Sequence, residues 1–369
     1  MLNSTDVFVI GGGPAGLAAA IAARQRGFRV TVADGANMPI DKPCGEGLMP
    51  DGLVALQKLG VEISAENSYS FRGIRFLSGD LAVDAAFPHG ASGRGVRRTM
   101  LHQLIAERAA RLGIDFLWHT AVTGISADAV HLGDREIRTR WIIGADGGSS
   151  RVRRWAGLDD FRERNRRYAF RRHYQVAPWT DRMELHWDRL GQIYVTPISA
   201  EQVCVALISR DPKLRLNEAL RGFPELEKRL AGAEAASTEK GAVTATCRLR
   251  RVRRGNVALI GDASGTVDAI TGEGLCLAFS QAMVLAECLE DGDLGRYERE
   301  HRRLAFRPRL MARLMLLLDQ RPRLQRRALR ALGERQQLFQ RLLELHVGIL
   351  SPLHLAADGL TLGWGLLTA

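Results

Sequence analysis

Asp6-Val-Phe-Val-Ile-Gly11-Gly12-Gly13-Pro14-Ala15-Gly16 decides the fold. The apolar run before the glycines predicts a short buried strand. An alanine-rich helix, Leu17 to Arg26, follows and is closed by Gly27. A second strand, Arg29–Ala33, ends at Asp34, so the order is strand, turn, helix, strand. Gly11, Gly13 and Gly16 have the spacing of a dinucleotide turn. Gly11 permits the tight turn, Gly13 lets a pyrophosphate reach the backbone, and Gly16 lets helix pack on strand. Pro14 and Ala15 complete the turn, and the helix start offers free N–H groups to phosphates. Asp34, 18 residues after Gly16, stands where an acid can accept a ribose hydroxyl.

Two later segments widen the reading. Trp141-Ile-Ile-Gly-Ala-Asp146-Gly147-Gly-Ser-Ser150-Arg151-Val-Arg153 is a strand running into a polar, glycine-rich turn. Gly255-Asn-Val-Ala-Leu-Ile-Gly261-Asp262-Ala263 is another, and Thr271-Gly272-Glu273-Gly274-Leu275 then opens a helix through about Leu289. Three separated nucleotide-type turns imply a fold closed around a long cofactor. Together they resemble the FAD-dependent oxidoreductases of the p-hydroxybenzoate hydroxylase-like superfamily, over roughly residues 1–290.

The resemblance implies an α/β fold: a Rossmann-like FAD-binding domain, an inserted antiparallel β-sheet substrate domain and a C-terminal helical region. It implies FAD as cofactor. Asp262 after Gly261 would hold a ribityl hydroxyl or a water on the pyrophosphate side. Gly272, Gly274 and Leu275 would bring backbone N–H groups and a helix N-terminus to the flavin, where reduced flavin carries negative charge. Asp146 and Gly147 would lie near the pyrophosphate. Val96-Arg97-Arg98-Thr-Met-Leu101 resembles the family's R-x-x-L helix start, which puts Arg98, ahead of Arg97, near the FAD phosphates. Val122 is also expected at the cofactor.

The expected FAD domain is discontinuous: residues 1–72, 95–160 and 245–290. Residues 73–94 and 161–244 alternate apolar and polar positions and predict the sheet that roofs the flavin. His173, Tyr174, His186, Trp187 and Tyr194 lie on its strands. From 291 to 369 the pattern is helical.

Within the superfamily, the hydroxylases carry a histidine after the Gly-Asp-Ala turn. Here Gly261-Asp-Ala-Ser264-Gly265 leads to Asp268-Ala-Ile-Thr-Gly-Glu-Gly, closer to the geranylgeranyl reductase form. Pro43-Cys44-Gly45-Glu46-Gly47-Leu48 is similar to the cysteine segment of those reductases. The resemblance places Cys44 beside the flavin, as a candidate to protonate a substrate carbon or to tune the flavin. Tyr194 is the second catalytic candidate. Halogenases need a lysine to carry hypohalous acid, and none occurs between Lys58 and Lys213. The expected activity is reduction or dehydrogenation of a C–C bond in a hydrophobic, prenyl- or polyketide-type substrate by hydride transfer at flavin N5. The alternative is a monooxygenase that hydroxylates or epoxidises through a flavin hydroperoxide. A flavin-binding protein without turnover is a third reading. No second Rossmann unit appears, so electrons are expected from transiently docked NAD(P)H or a reduced protein donor.

Composition bounds the rest. The chain has 369 residues, 46% of hydrophobic type, enough for two or three units with large cores. Its five cysteines show no CxxC or Cys/His spacing, so neither a disulfide framework nor a metal site is expected. The net charge of +11 comes from 52 basic residues, only five of them lysine. Arg151 to Arg172 carries nine arginines against three acids, and Arg296 to Arg341 carries 14 against four. Such stretches suit an acidic donor or carrier protein, or an anionic membrane surface; no nucleic-acid module appears. The opening Met-Leu-Asn-Ser-Thr-Asp lacks a basic n-region, and the apolar tail Gly348–Ala369 is interrupted by His354 and Asp358. A cytoplasmic protein, in part peripheral to the membrane, is expected, with the tail as a docking segment and not a span.

Overall fold

The computed structural model describes residues 3–350. An eight-stranded sheet holds the nucleotide turns. Its centre runs Val257–Leu259, Arg135–Gly144, Ser4–Ile10, Val30–Ala33 and Asp115–Leu117, each parallel to its neighbour. Val7, Phe8 and Val9 are fully buried, as expected of a parallel strand covered on both faces. The helix Pro14–Gln25 starts with proline at its first turn, where a missing N–H does no harm. Ala18, Ala19, Ala20, Ala22 and Ala23 are buried, and the small side chains let it lie close to the helix Gly274–Glu290.

The second sheet has nine strands and is largely antiparallel. Phe161–Gln175, Gln202–Ser209, Gly191–Pro197 and Met183–Asp188 run side by side, with Gly73–Ser78 and Leu81–Ala86 added at one edge. Strand period two sorts its faces. Ile193, Val195, Val203, Val205 and Leu207 point outward, into a core with the short helices Leu216–Leu220 and Pro224–Leu230. Gln192, Tyr194, Thr196, Cys204 and Ala206 occupy the other face, towards the nucleotide turns and the C-terminal helices. The strand Lys240–Leu249 pairs with Phe161–Gln175 as far as Leu249, so the roof continues past the border expected at residue 244. The chain re-enters the first sheet only at Arg253–Arg254.

Four helices follow: Leu294–Leu304, Phe306–Asp319, Pro322–Glu334 and Gln336–His346. They do not form a separate bundle. Leu329, Leu332, Phe339 and Leu343 share a core with Ile74, Val83, Phe71 and Met49, and Ala312 and Leu316 pack on Leu185, Tyr194 and Ile270. At about 1.5–3 kcal/mol per fully buried large apolar side chain, this packing clamps the roof to the late glycine turn. Among the described residues no helix is long and apolar enough to cross a membrane. The tail from residue 351, expected to dock, lies outside the described residues.

Candidate active site

The three glycine turns converge through atoms that leave no room for side chains. A Cβ on Gly16 would run into the Gly11 carbonyl oxygen, and one on Gly11, at φ +112°, into the backbone of Ala145 and Asp146. A Cβ on Gly261 would stand 2.7 Å from that of Ala15. Turn one thus touches turn two at Gly11 and turn three at Ala15. Gly13 and Gly274 differ: nothing lies within 4 Å of a Cβ added there. Each lies at the start of a helix, with Leu275 half-buried beside Gly274. Gly272 sits at φ +67° and makes the left-handed step into the second of them.

Asp34 ties the first turn from below. It accepts from the Gly12 N–H at 2.7 Å and from the Ala36 N–H at 2.8 Å, one bond per oxygen. Each oxygen keeps a lone pair for a ribose hydroxyl. Buried His102 lies 2.8 Å from the Gly12 carbonyl oxygen and fixes the same turn. Asp146 is taken up locally: it accepts from Ser150 Oγ at 2.6 Å and from the Arg151 and Val152 amides, capping the helix Arg151–Trp155. Gly147 stays in the site, with Lys42 Nζ 3.3 Å from where its Cβ would be. Val122 has its side chain in the domain core, so only its backbone is free for a ligand.

Arg98 is buried at the start of the helix Arg98–Arg111, and among the described residues its Nη1 has no hydrogen-bond partner. Its charge is felt by both Cys44 and Asp262. Burial raises the Asp262 carboxyl above its ordinary range, against the pull of Lys42 and Arg98. Arg97 turns away to Gln202, 3.1 Å off. A buried guanidinium with an unused N–H, two helix starts and an uncovered glycine backbone fit the pyrophosphate and flavin of FAD.

Cys44 is half-buried, and its sulfur accepts from the Glu46 N–H at 3.4 Å. Burial pushes its thiol above the ordinary value; Arg98 pulls the other way, and Glu46 adds to the rise. The group is therefore a thiol at neutral pH. Tyr194 is buried, and its hydroxyl donates to the Ile270 carbonyl oxygen at 2.7 Å. That bond pins the 3-10 turn Ala269–Thr271 directly before Gly272. The proton of Tyr194 is committed, and burial raises its phenol further.

At the roof's inner face, His173 of the expected strands meets residues to which the sequence assigned no role. Glu46, buried at φ +60°, accepts from the Arg98 N–H at 2.9 Å and lies 2.7 Å from His173 Nε2. His173 Nδ1 in turn meets Ser237 Oγ at 2.7 Å. Arg171 is buried beside them and reaches Asp41, which Lys240 also pairs at 2.8 Å. Glu46, His173 and Cys204 bring ligand atoms within 4.8 Å of one another, although they are up to 158 positions apart. The Arg171 guanidinium, 4.0 Å from Glu46, supplies positive charge there. A second buried pair joins Arg167 to Asp268, whose side chain also caps the Ala269–Thr271 turn by accepting from the Ile270 N–H. Arg167 also donates to Gln192 at 3.2 Å, which extends the chain of contacts to Asp319. Of the aromatic roof candidates, Tyr174 belongs to the outer core, Trp187 donates to Asp319, and His186 pairs with Glu184.

The late turn carries one further cluster. Glu273 is buried and lies 3.2 Å from Arg307 and 3.5 Å from His346, both from the C-terminal helices; Arg307 also pairs with Asp51 at 2.9 Å. Burial pushes Glu273 up to about 8 and His346 down to about 4.

A family model described as an FAD binding domain matches residues 4–292. The chain is similar to the menaquinone reductase of Mycobacterium tuberculosis, 30% identical over 320 residues, covering 80% of this chain and 78% of the relative. It is 27% identical over 332 residues to digeranylgeranylglycerophospholipid reductase 1 of Methanothermobacter thermautotrophicus, covering 81% and 82%. Among solved structures, a flavin-dependent brominase shares the fold at TM-score 0.81 and 18% identity, with 94% of each chain covered.

Proposed function

The chain belongs to the FAD binding domain family and is an FAD-dependent oxidoreductase; from that premise we propose that it reduces a C=C bond of a polyisoprenoid substrate. The observation that carries this reading is the seat of Cys44. Cys44 lies within reach of the Arg98 charge, which also acts on Asp262 of the third glycine turn, and no histidine follows Ala263. The names of the similar reductases support the substrate class, since menaquinone and a digeranylgeranyl lipid both carry isoprenoid chains.

FAD supplies the hydride chemistry when bound. The chain's own residues do the rest. Gly11 to Gly16 and Arg98 would hold the pyrophosphate, Asp34 the ribose, and Asp262 the ribityl side. The N-terminus of the helix Gly274–Glu290 would oppose negative charge on the ring. Cys44 holds a proton at Sγ, where it can be given to a substrate carbon. Tyr194 and Asp268 keep the Gly272 turn in place. Electrons come from NAD(P)H or a reduced protein donor bound in passing.

The test is anaerobic. FAD-loaded protein reduced with dithionite is mixed with menaquinone or a geranylgeranyl lipid, and the product is weighed. A gain of two hydrogens per turnover in the isoprenoid chain, surviving reoxidation of any quinol, is expected. A gain of one oxygen, seen only when air is admitted, overturns the reading in favour of a monooxygenase.

A further inference from the structure

Two adjoining cavities of about 550 and about 490 Å³ open on the side of the late turn, and arginines line them. The basic stretches at 151–172 and 296–341 contribute Arg162, and Arg299, Arg302 and Arg309. A third stretch, Arg248-Leu-Arg-Arg-Val-Arg-Arg254, completes the wall; it stands out only once the fold brings the other two beside it.

The local acids are already used. Asp160 lies 3.7 Å from Arg250, and Glu298 pairs with Arg302 at 2.8 Å and Arg253 at 3.6 Å. Among the described residues, Arg162, Arg248, Arg251 and Arg309 face the larger cavity with no acid of their own. Arg309 Nε is buried without a hydrogen-bond partner among the described residues. Burial lowers the Arg309 guanidinium, and the neighbouring charges of Arg248 and Arg313 lower it further. Like charges gathered around a concave space raise the energy of the folded protein unless an anion enters.

We propose that this arginine-lined cleft binds an organic diphosphate. The two lobes share Arg251, Glu298 and Arg302, so linked phosphates could occupy both. Guanidinium forks match phosphate oxygens in pairs. Phe161, Leu249 and Val252 give the larger lobe apolar walls for an attached organic group. A flat membrane would meet exposed Arg162, Arg248 and Arg251, but not half-buried Arg309, whose Nε is shut off from the surface. His301, on the cavity wall, lies 2.9 Å from Ser264 Oγ, and Ser264 donates to the Gly261 carbonyl oxygen. The cleft is thus one side chain away from the turn that carries Asp262. Two sources of the diphosphate fit: a nicotinamide dinucleotide that delivers electrons, and an isoprenoid diphosphate.

The experiment uses the FAD-loaded protein, with inorganic pyrophosphate as probe, by titration calorimetry and thermal melting at low salt. Pyrophosphate is expected to bind and to raise the melting temperature. The variant Arg248→Ala/Arg309→Ala should bind it about tenfold more weakly or worse, as expected when charge-assisted hydrogen bonds are lost. Without pyrophosphate that variant should melt no lower than wild type, because repulsion is relieved. Arg162→Ala/Arg251→Ala gives a second, independent reading. Arg327→Ala, an exposed arginine outside the cleft, should bind like wild type. Competition by NADPH assigns the nucleotide source, and competition by farnesyl diphosphate the isoprenoid one. No pyrophosphate binding to wild type, equal binding by both cleft variants, or displacement by sulfate as readily as by either organic diphosphate overturns the proposal. None of these outcomes depends on which reaction the flavin site performs.

Discussion

On the parallel sheet, Val7, Phe8 and Val9 are 0% exposed within a core that is mostly apolar, although buried Thr31 stands beside Phe8. On the inner face of the roof, Arg167, Arg171 and His173 are 2%, 2% and 1% exposed, and their neighbours are Asp268, Asp41 and Glu46. Burial is equally deep in the two regions, and the chemistry is opposite. Apolar burial stabilises without specifying which side chain goes where within about a methyl group. Buried ion pairs contribute little net stability, yet each fixes two side chains and the turns they reach. Arg167 reaches the turn before Gly272, and Glu46 reaches both the Cys44 segment and Arg98. The nucleotide turns are fixed mainly by shape, and the roof beside them mainly by charge.

Glycine substitutions probe the shape side and should have the largest effects. Gly16→Val would drive a side chain into the Gly11 carbonyl oxygen, a backbone atom that cannot rotate away. The loss should exceed the ~1–3 kcal/mol usual for overpacking, and soluble folded protein should disappear. Gly13→Trp meets open space instead, so the protein should fold with normal circular dichroism and stay colourless. A yellow, stable Gly16→Val protein would falsify this account of the turn.

On the charge side, Arg167→Met leaves Asp268 buried and unpaired. The expected loss is about 3–5 kcal/mol in urea unfolding, because one partner of a buried pair has gone. The double variant Arg167→Met/Asp268→Leu should recover most of it. If the double variant is no better than the single one, Asp268 acts through its cap on the Ile270 amide and not through the pair.

These two regions were unequally legible. Glycine turns are local: Gly11, Gly13 and Gly16 sit within six residues, and the strand before them and helix after them are read from the same stretch. The three ordered turns therefore foretold the FAD domain, and period two foretold the roof. The roof's polar face was not legible, since Glu46 finds His173 across 127 positions and Arg167 finds Asp268 across 101. One local signal was available: Arg167, Ala169, Arg171 and His173 alternate on one strand, so three polar residues share a face. Likewise, nothing near Glu273 in sequence announces Arg307 and His346.

Glu273 offers a gentler probe of the charge side, through pH. Its folded value of about 8 lies above the ordinary 4.5, because burial opposes the charged form while Arg307 only partly offsets it and Asp51 adds to it. A raised value stabilises the fold fully below 4.5, and that contribution is lost as pH rises towards 8. His346, the other group facing it, is lowered to about 4 and works in the opposite direction, adding stability as pH rises to 6.5. The difference in unfolding free energy between wild type and Glu273→Gln isolates the first effect. It should shrink, then change sign in favour of the variant, as pH is raised from 4.5 to 8. A difference that is flat across that range means Glu273 is charged throughout and fully compensated by Arg307.

Cys44→Ser should disturb the fold least, and it tests where the two regions meet. The thiol lies on the segment between the Arg98 helix and the roof, and among the described residues its one hydrogen bond is accepted from the Glu46 amide. Serine is close in size and can accept the same bond, so stability should change by less than about 1 kcal/mol and FAD should be retained. Proton donation is another matter. Burial raises the Cys44 thiol above the ordinary 9.0, so it is protonated at neutral pH and loses its proton only in alkali. A serine hydroxyl is a far weaker acid. If Cys44 gives a proton to the substrate carbon, turnover should fall by about 10²-fold or more, and the alkaline decline in rate should vanish with it. Flavin reduction by dithionite should be unchanged, because it does not need that proton. Equal turnover and an unchanged pH profile in Cys44→Ser would leave the thiol as packing, and the charge on the roof would then act on the cofactor through Glu46 and Arg98 alone.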